Sequence, residues 1–244
     1  MIYKNIISRH RDNSKQLAVL IDPDRIQNDK DLLQVVEAAN GSDTDLILVG
    51  GSIVSNGFDN AVGIIKENSN APVLLFPGSL LQISDKADGI LMLSLISGRN
   101  TEMLIGNHVV AAPVLKNSNL EIIPTGYMII ETGKQTSVEY MSNTKPIPSD
   151  KKDIAVATAL AGEMLGLKMI YLEAGSGAPK PVCEKMICEV RKNISVPLIV
   201  GGGIKTTKQA GDICRAGADV IVVGTAFEED LSVLKDIADA VHSL

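Results

Sequence analysis

The sequence predicts an α/β fold, a (β/α)8 barrel formed as one domain over residues 1–244, on three observations. The chain's 244 residues are close to the ~250 typical of such a barrel. Eight short apolar runs, each ending in polar or glycine-rich residues, alternate with stretches of 3.6-residue apolar periodicity, which is how βα units on a parallel sheet read. Hydrophobic residues make up 45% of the chain, aromatics only 3%, and Trp is absent. The core is therefore aliphatic, as suits strands buried on both faces.

The strands are expected at residues 17–22, 45–50, 72–77, 89–94, 126–130, 169–174, 197–201 and 220–224. Helical periodicity is clearest over 31–39, 60–66, 154–165 and 182–190. Local chemistry marks several boundaries. Asp150 precedes an apolar-periodic run and is placed as its N-cap. Gly166 closes that helix in the left-handed conformation. Thr206 caps the helix after strand 7, and Gly217 ends it. Two stretches depart from a regular barrel. Residues 78–88 are too few for a comfortable crossover, which needs at least ~10–12 with its helix, so the third helix is expected to be missing or reduced to a turn. Residues 131–149 form a long polar connection of the kind used for lids or binding loops.

Composition excludes several function classes. The net charge is -6 and no Lys/Arg cluster offers a nucleic-acid footprint. No apolar run approaches the ~18 residues of a membrane span, and the first residues lack a signal peptide's apolar core, so a cytoplasmic protein is expected. Cys183, Cys188 and Cys214 show no CxxC spacing and are read as reduced thiols, Cys183 and Cys188 as packed in a helix.

Reacting residues of a (β/α)8 barrel sit at the C-terminal ends of its strands. Those ends carry Asp22 and Asp24; Gly50, Gly51 and Ser52; Glu131; Glu173, Ala174, Gly175, Ser176 and Gly177; Gly201, Gly202 and Gly203; Gly224 and Thr225. Glycines after strands 7 and 8 let backbone N–H groups approach an anion, and the next helix N-terminus adds positive potential; tight turns alone would also use them. Asp22 with Ser52 can hold Mg²⁺, which takes one or two protein carboxylates and completes its shell with water and phosphate oxygens. Asp22 and Asp24 can equally shape the turn around Pro23. Glu173 closes an apolar strand, where an unpaired charge is costly; it reads as a general base or as a structural partner of an amide. Tyr171 shares its side of the strand, either orienting a substrate or packing the core. Tyr127 and Glu131 are expected to line the pocket. No strand carries a lysine, which argues against Schiff-base chemistry. His10, His108 and His242 lie away from the strand ends, which argues against His-assisted isomerisation or a His-rich metal site.

Taken together, Asp22-Pro23-Asp24, Gly50-Gly51-Ser52, Tyr171-Leu172-Glu173-Ala174-Gly175-Ser176-Gly177-Ala178, Val200-Gly201-Gly202-Gly203-Ile204 and Val223-Gly224-Thr225 resemble the geranylgeranylglyceryl phosphate synthase / heptaprenylglyceryl phosphate synthase family. The likeness runs from strand 1 to strand 8, and the string at 171–178 is its most specific part. The resemblance implies Mg²⁺-dependent transfer of a geranylgeranyl or longer polyprenyl group from its diphosphate to sn-glycerol 1-phosphate, giving an ether-lipid precursor. It implies Asp22 and Ser52 as Mg²⁺ ligands. It assigns glycerol phosphate to Tyr171, Leu172, Glu173, Ala174, Gly175, Ser176, Gly177, Gly202, Gly203, Gly224 and Thr225. Glu173 would take the proton from the attacking hydroxyl, and Tyr171 would orient it. A groove between strand 2 and the thinned third crossover would take the apolar chain. The 131–149 segment resembles the second of the family's two broad groups, and family members form dimers or hexamers. Apart from that resemblance, two other classes fit the residues: a sugar-phosphate isomerase or lyase on the same phosphate grip, and a non-catalytic binder of an apolar phosphate ester.

Overall fold

A computed structural model describes residues 1–53, 57–224 and 231–244. Eight parallel strands close into a barrel in sequence order: β1 Gln16–Ile21, β2 Leu46–Val49, β3 Val73–Leu75, β4 Gly89–Leu95, β5 Glu121–Ile129, β6 Met169–Glu173, β7 Leu198–Gly201 and β8 Val220–Val223. The helices are α1 Ile2–Arg11, α2 Asp29–Gly41, α3 Phe58–Asn68, α4 Asn107–Asn117, α5 Ser137–Ser142, α6 Lys152–Met164, α7 Glu184–Asn193, α8 Thr207–Ala216 and α9 Val233–His242.

Alternation along each strand builds two apolar layers. Leu17, Val19 and Ile21 of β1 face the surrounding helices, whereas Ala18 joins Leu46, Leu74, Leu91 and Ile123 inside the barrel. Amphipathic α1 lies across the N-terminal end, and its Ile6 is buried among the interior side chains. No helix separates β3 from β4, as the short crossover predicts. Thr206 accepts from the Gln209 N–H at 3.2 Å, while Gly166 and Gly217 adopt φ of 86° and 116°, as their places at helix ends require.

Four expectations need correction. β5 begins at Glu121 rather than at residue 126, because Pro124 interrupts the apolar pattern without interrupting the strand. Asp150 does not cap α6: the N-cap position is Lys151, with no side-chain cap bond, so Asp150 stands one residue too early. The 131–149 connection holds a helix, α5, with a capping box between Thr136 and Glu139. Cys183 is the exposed N-cap of α7 rather than a packed helical residue.

The N-terminal end of the barrel repeats one device. Asp45, Asp88 and Asp219 each precede an even-numbered strand and accept a 2.8 Å hydrogen bond from the backbone of the strand before: Leu17, Val73 and Leu198 respectively. Lys168 holds the equivalent place before β6, opposite Pro124, which has no N–H to offer. Asp219 also holds Arg191 at 2.9 Å and the His10 ring at 3.0 Å. Asp219→Ala leaves the buried Leu198 amide without an acceptor and takes the charge partner from half-buried Arg191, which keeps the Ile194 and Val196 carbonyls, so a loss of about 1–3 kcal/mol is expected, read as a lower denaturant midpoint.

Candidate active site

A cavity of ≈ 710 Å³ opens at the C-terminal ends of the strands. One end is polar, with Asp22, Ser52, Glu173, Ser176 and Gly202 on its wall; the other runs into an apolar groove. Leu80 and Ile83 of the helix-less 78–88 crossover, Ile90 and Met92 of β4, and Ala111 and Leu115 of α4 line that groove. Where an ordinary barrel would pack a third helix, this one keeps space. The groove follows the 78–88 crossover, but it runs toward β4 and α4 rather than between strand 2 and the crossover.

Glu173 ends β6 at the junction of the two regions and is only 5% exposed. Its Oε1 accepts from the Gly175 N–H at 2.5 Å. Burial raises its pKa above the ordinary carboxylate value, opposed by that N–H and by the nearby hydroxyls of Tyr171 and Tyr127. Burial, with the Glu173 charge beside them, keeps both phenols well above their ordinary pKa, so they stay protonated. Phe76, Tyr127 and Tyr171 stack edge to face and tilted, with ring centroids 5.2–5.8 Å apart, which fixes the phenols. The Tyr171 Oη is buried, yet has no hydrogen-bond partner of normal geometry among the described residues. A buried hydroxyl in that state is completed by a ligand or a water.

Two glycines of β7 and its loop make this arrangement possible. A Cβ on Gly201 would lie 2.2 Å from the Tyr171 Oη, and one on Gly202 2.5 Å from Glu173 Oε1. Gly175, Gly177, Gly202 and Gly203 all have positive φ, from 69° to 97°. The backbone N–H groups of Gly177, Gly202 and Gly203 donate to no described residue. Unpaired amides around one mouth make an anion cradle, with Lys205 beside it.

Asp22 faces the cradle from β1. Its carboxylate caps the turn at Pro23 by accepting from the Asp24 N–H at 3.3 Å, so the turn-forming role is real. The same carboxylate also lines the cavity, where burial first of all raises its pKa. Gly51 leaves it room, since a Cβ there would stand 2.5 Å from Asp22 Oδ1, and Ser52 follows directly. A partly desolvated carboxylate with a hydroxyl on the same cavity wall is the sparse oxygen set that suits Mg²⁺. The residues present fit that ion.

Of the residues singled out in the sequence, Asp22, Ser52, Tyr171, Glu173, Ser176, Gly177, Gly202, Gly203 and Gly224 all line the cavity. Leu172 and Ala174 do not: their side chains pack between sheet and helices, as strand alternation requires, which leaves only their backbones for a ligand. Gly175 serves through its N–H to Glu173. Glu131 is exposed and does not line the cavity, because the chain turns outward after Ile130 to pair with Ile147. Thr225 lies outside the described residues. Tyr127 is part of the site.

Three contributors escape a reading of strand ends. Gln82, 1% exposed, donates to the Gly51 carbonyl at 2.7 Å and accepts from the Gly51 and Gly78 N–H groups at 3.2 and 3.1 Å; it staples the Ser52 loop to the crossover. Arg25 donates to Ser176 Oγ at 2.9 Å and lies 3.5 Å from Asp22. His108 reaches the groove from α4, away from the strand ends as expected; burial lowers its pKa, and it sits 3.3 Å from Ser94 Oγ.

Fold and site together define a phosphate-handling (β/α)8 barrel whose anion cradle opens into a groove for an apolar chain. The chain belongs to the PcrB family, whose sequence pattern matches residues 9–241. It is 51% identical over 243 residues to the geranylgeranylglyceryl phosphate synthase of Chitinophaga pinensis, covering 99% of this chain and 96% of that one. It is 47% identical over 219 residues to the enzyme of the same name from Thermococcus gammatolerans, covering 89% and 86%. A crystal structure of (S)-3-O-geranylgeranylglyceryl phosphate synthase from Thermoplasma acidophilum in complex with sn-glycerol-1-phosphate superposes with a TM-score of 0.93 at 34% identity, covering 99% and 98%.

Proposed function

We propose that this chain is a prenyltransferase that joins a geranylgeranyl or longer polyprenyl diphosphate to sn-glycerol 1-phosphate through an ether bond and releases diphosphate. The observation that carries the reading is a single cavity in which a buried carboxylate stands between an anion cradle and an apolar groove. A sugar phosphate has no use for such a groove. Relatives across the full length of the chain bear the name of this reaction.

The unpaired amides of Gly177, Gly202 and Gly203 would hold the phosphate of the acceptor. Tyr171 would donate to the acceptor hydroxyl and align it. As that oxygen bonds to C1 of the prenyl chain and the C1–O bond to diphosphate breaks, Glu173 takes the hydroxyl proton. Asp22 and Ser52 would hold Mg²⁺, which when bound neutralises charge on the leaving diphosphate. Stapled by Gln82, the Ser52 loop keeps its distance from Asp22, and the groove walls exclude water from C1. The exposed apolar face of α4, including Val109, Val110 and Val114, suits packing against a second copy in a dimer or hexamer. No helix among the described residues is long and apolar enough to cross a membrane, and membrane contact would be a transient one for the product.

The test is a prenyl-transfer assay with labelled sn-glycerol 1-phosphate, Mg²⁺ and a series of polyprenyl diphosphates. Extractable ether product is expected; none with any donor, despite phosphate binding, would point to a sugar-phosphate enzyme. Ala111→Phe, which fills the groove wall, is expected to raise KM for the long donors on the order of tenfold, the cost of about 1.4 kcal/mol of lost apolar contact. The KM for glycerol phosphate should stay where it is.

A further inference from the structure

The Arg25 side chain joins the two halves of the site. Its Nη2 donates to Ser176 on the glycerol phosphate side, and its Nε lies 3.5 Å from Asp22 on the diphosphate side. Lys205 and Arg25 are the only lysine or arginine among the described residues lining the cavity. Lys205 follows the Gly202–Gly203 loop and so belongs to one half alone. Two polyanionic substrates brought into one cavity beside the Asp22 and Glu173 carboxylates repel each other, and low-dielectric walls strengthen that repulsion.

We propose that Arg25 is a shared ligand of both substrates, and that it converts their mutual repulsion into neutral or favourable coupling. A guanidinium offers five donors in a flat fork, enough to serve two oxyanions on two sides. It is anchored on the rigid turn after β1, whose Asp22 cap fixes where the fork starts. With 42% side-chain exposure, the fork stands at the cavity mouth, where phosphates can meet it without unpacking the core. The inference rests on the two-substrate reading above.

Calorimetry on the purified full chain tests it without turnover. The dissociation constant of sn-glycerol 1-phosphate is measured alone and with saturating inorganic pyrophosphate and Mg²⁺, for the wild type, Arg25→Met, Arg25→Lys and Lys205→Met. In the wild type the two constants should agree or the second should be tighter. In Arg25→Met, pyrophosphate should weaken glycerol phosphate binding on the order of tenfold, and by linkage glycerol phosphate should weaken pyrophosphate equally. Lys205→Met should weaken glycerol phosphate under both conditions and leave the ratio unchanged. Arg25→Lys, a point charge without the fork, should fall between. If both ligands bind and the ratio in Arg25→Met equals that of the wild type, the proposal is overturned. Failure of the wild type to bind either ligand would instead overturn the two-substrate reading and this inference with it.

Discussion

Glu173→Gln is expected to lower kcat by about 10²–10⁴-fold, the usual worth of a positioned general base, while the KM for glycerol phosphate changes little. The amide oxygen can still accept from the Gly175 N–H, so the loop keeps its shape and the loss isolates proton transfer. Stability should move the other way. Burial raises the Glu173 pKa in the folded protein, so the native state binds the carboxyl proton more tightly than the unfolded chain does. Stability from this group is therefore complete below the unfolded pKa and falls as pH rises through the folded one. A neutral glutamine escapes that loss. At neutral pH the E173Q variant should unfold at the same or a higher denaturant concentration than the wild type. A variant that loses activity because it unfolds would show the opposite, and one that keeps its rate would remove Glu173 from the mechanism.

The same shift gives the rate a pH signature. The base must be ionised to accept a proton, so the acidic limb of kcat/KM should have its midpoint above the ordinary carboxylate range. The phenols of Tyr171 and Tyr127 are held above their ordinary pKa and should add no alkaline limb below it. In Tyr171→Phe the acidic limb should move to higher pH, because a hydroxyl that favours the charged carboxylate is gone.

What was legible in the sequence is what local chemistry determines. Strands ending in glycine or carboxylate could be read because a barrel strand is apolar until it reaches its mouth. The short 78–88 crossover excluded a helix by length alone, and with it came the groove. Asp22, Ser52 and Glu173 were found by position at strand ends. Gln82, Arg25 and His108 were not, because each reaches the site from a turn, a crossover or a helix, and nothing in the residues around them reveals where the tertiary fold carries them. The glycines of β7 were legible as an anion loop but not as the space Tyr171 and Glu173 occupy; that is a fact about packing across strands. Leu172 and Ala174 show what a motif read as a string does not reveal: strand alternation sends their side chains away from the cavity, so only their backbones can face a ligand. The capping box of α5 was present in the sequence as Thr136 and Glu139 and was masked by the polar stretch around it.

Asp22→Asn should separate the two roles that Asp22 holds. Asparagine is as good an N-cap as aspartate, and its amide oxygen can accept from the Asp24 N–H as the carboxylate does now. If Asp22 served only the turn, the substitution would leave both fold and rate intact. A carboxylate turned into the cavity implies more: even with Arg25 3.5 Å away, burial outweighs that charge and raises the Asp22 pKa, so a further cation would offset a cost that Arg25 leaves. Charge stabilisation by a bound metal is worth several kcal/mol, so removing the one carboxylate that Asp22 and Ser52 supply between them should cut kcat/KM for the prenyl diphosphate on the order of 10²–10³-fold. More Mg²⁺ should be needed to reach half-maximal rate. Ser52→Ala, which removes a neutral donor, should cost on the order of tenfold, as the loss of about 1.4 kcal/mol would. Glycerol phosphate binding, measured separately by calorimetry, should be nearly unchanged in both. An Asp22→Asn variant that matched the wild type at limiting Mg²⁺ would return this residue to the turn alone and overturn its role as a metal ligand.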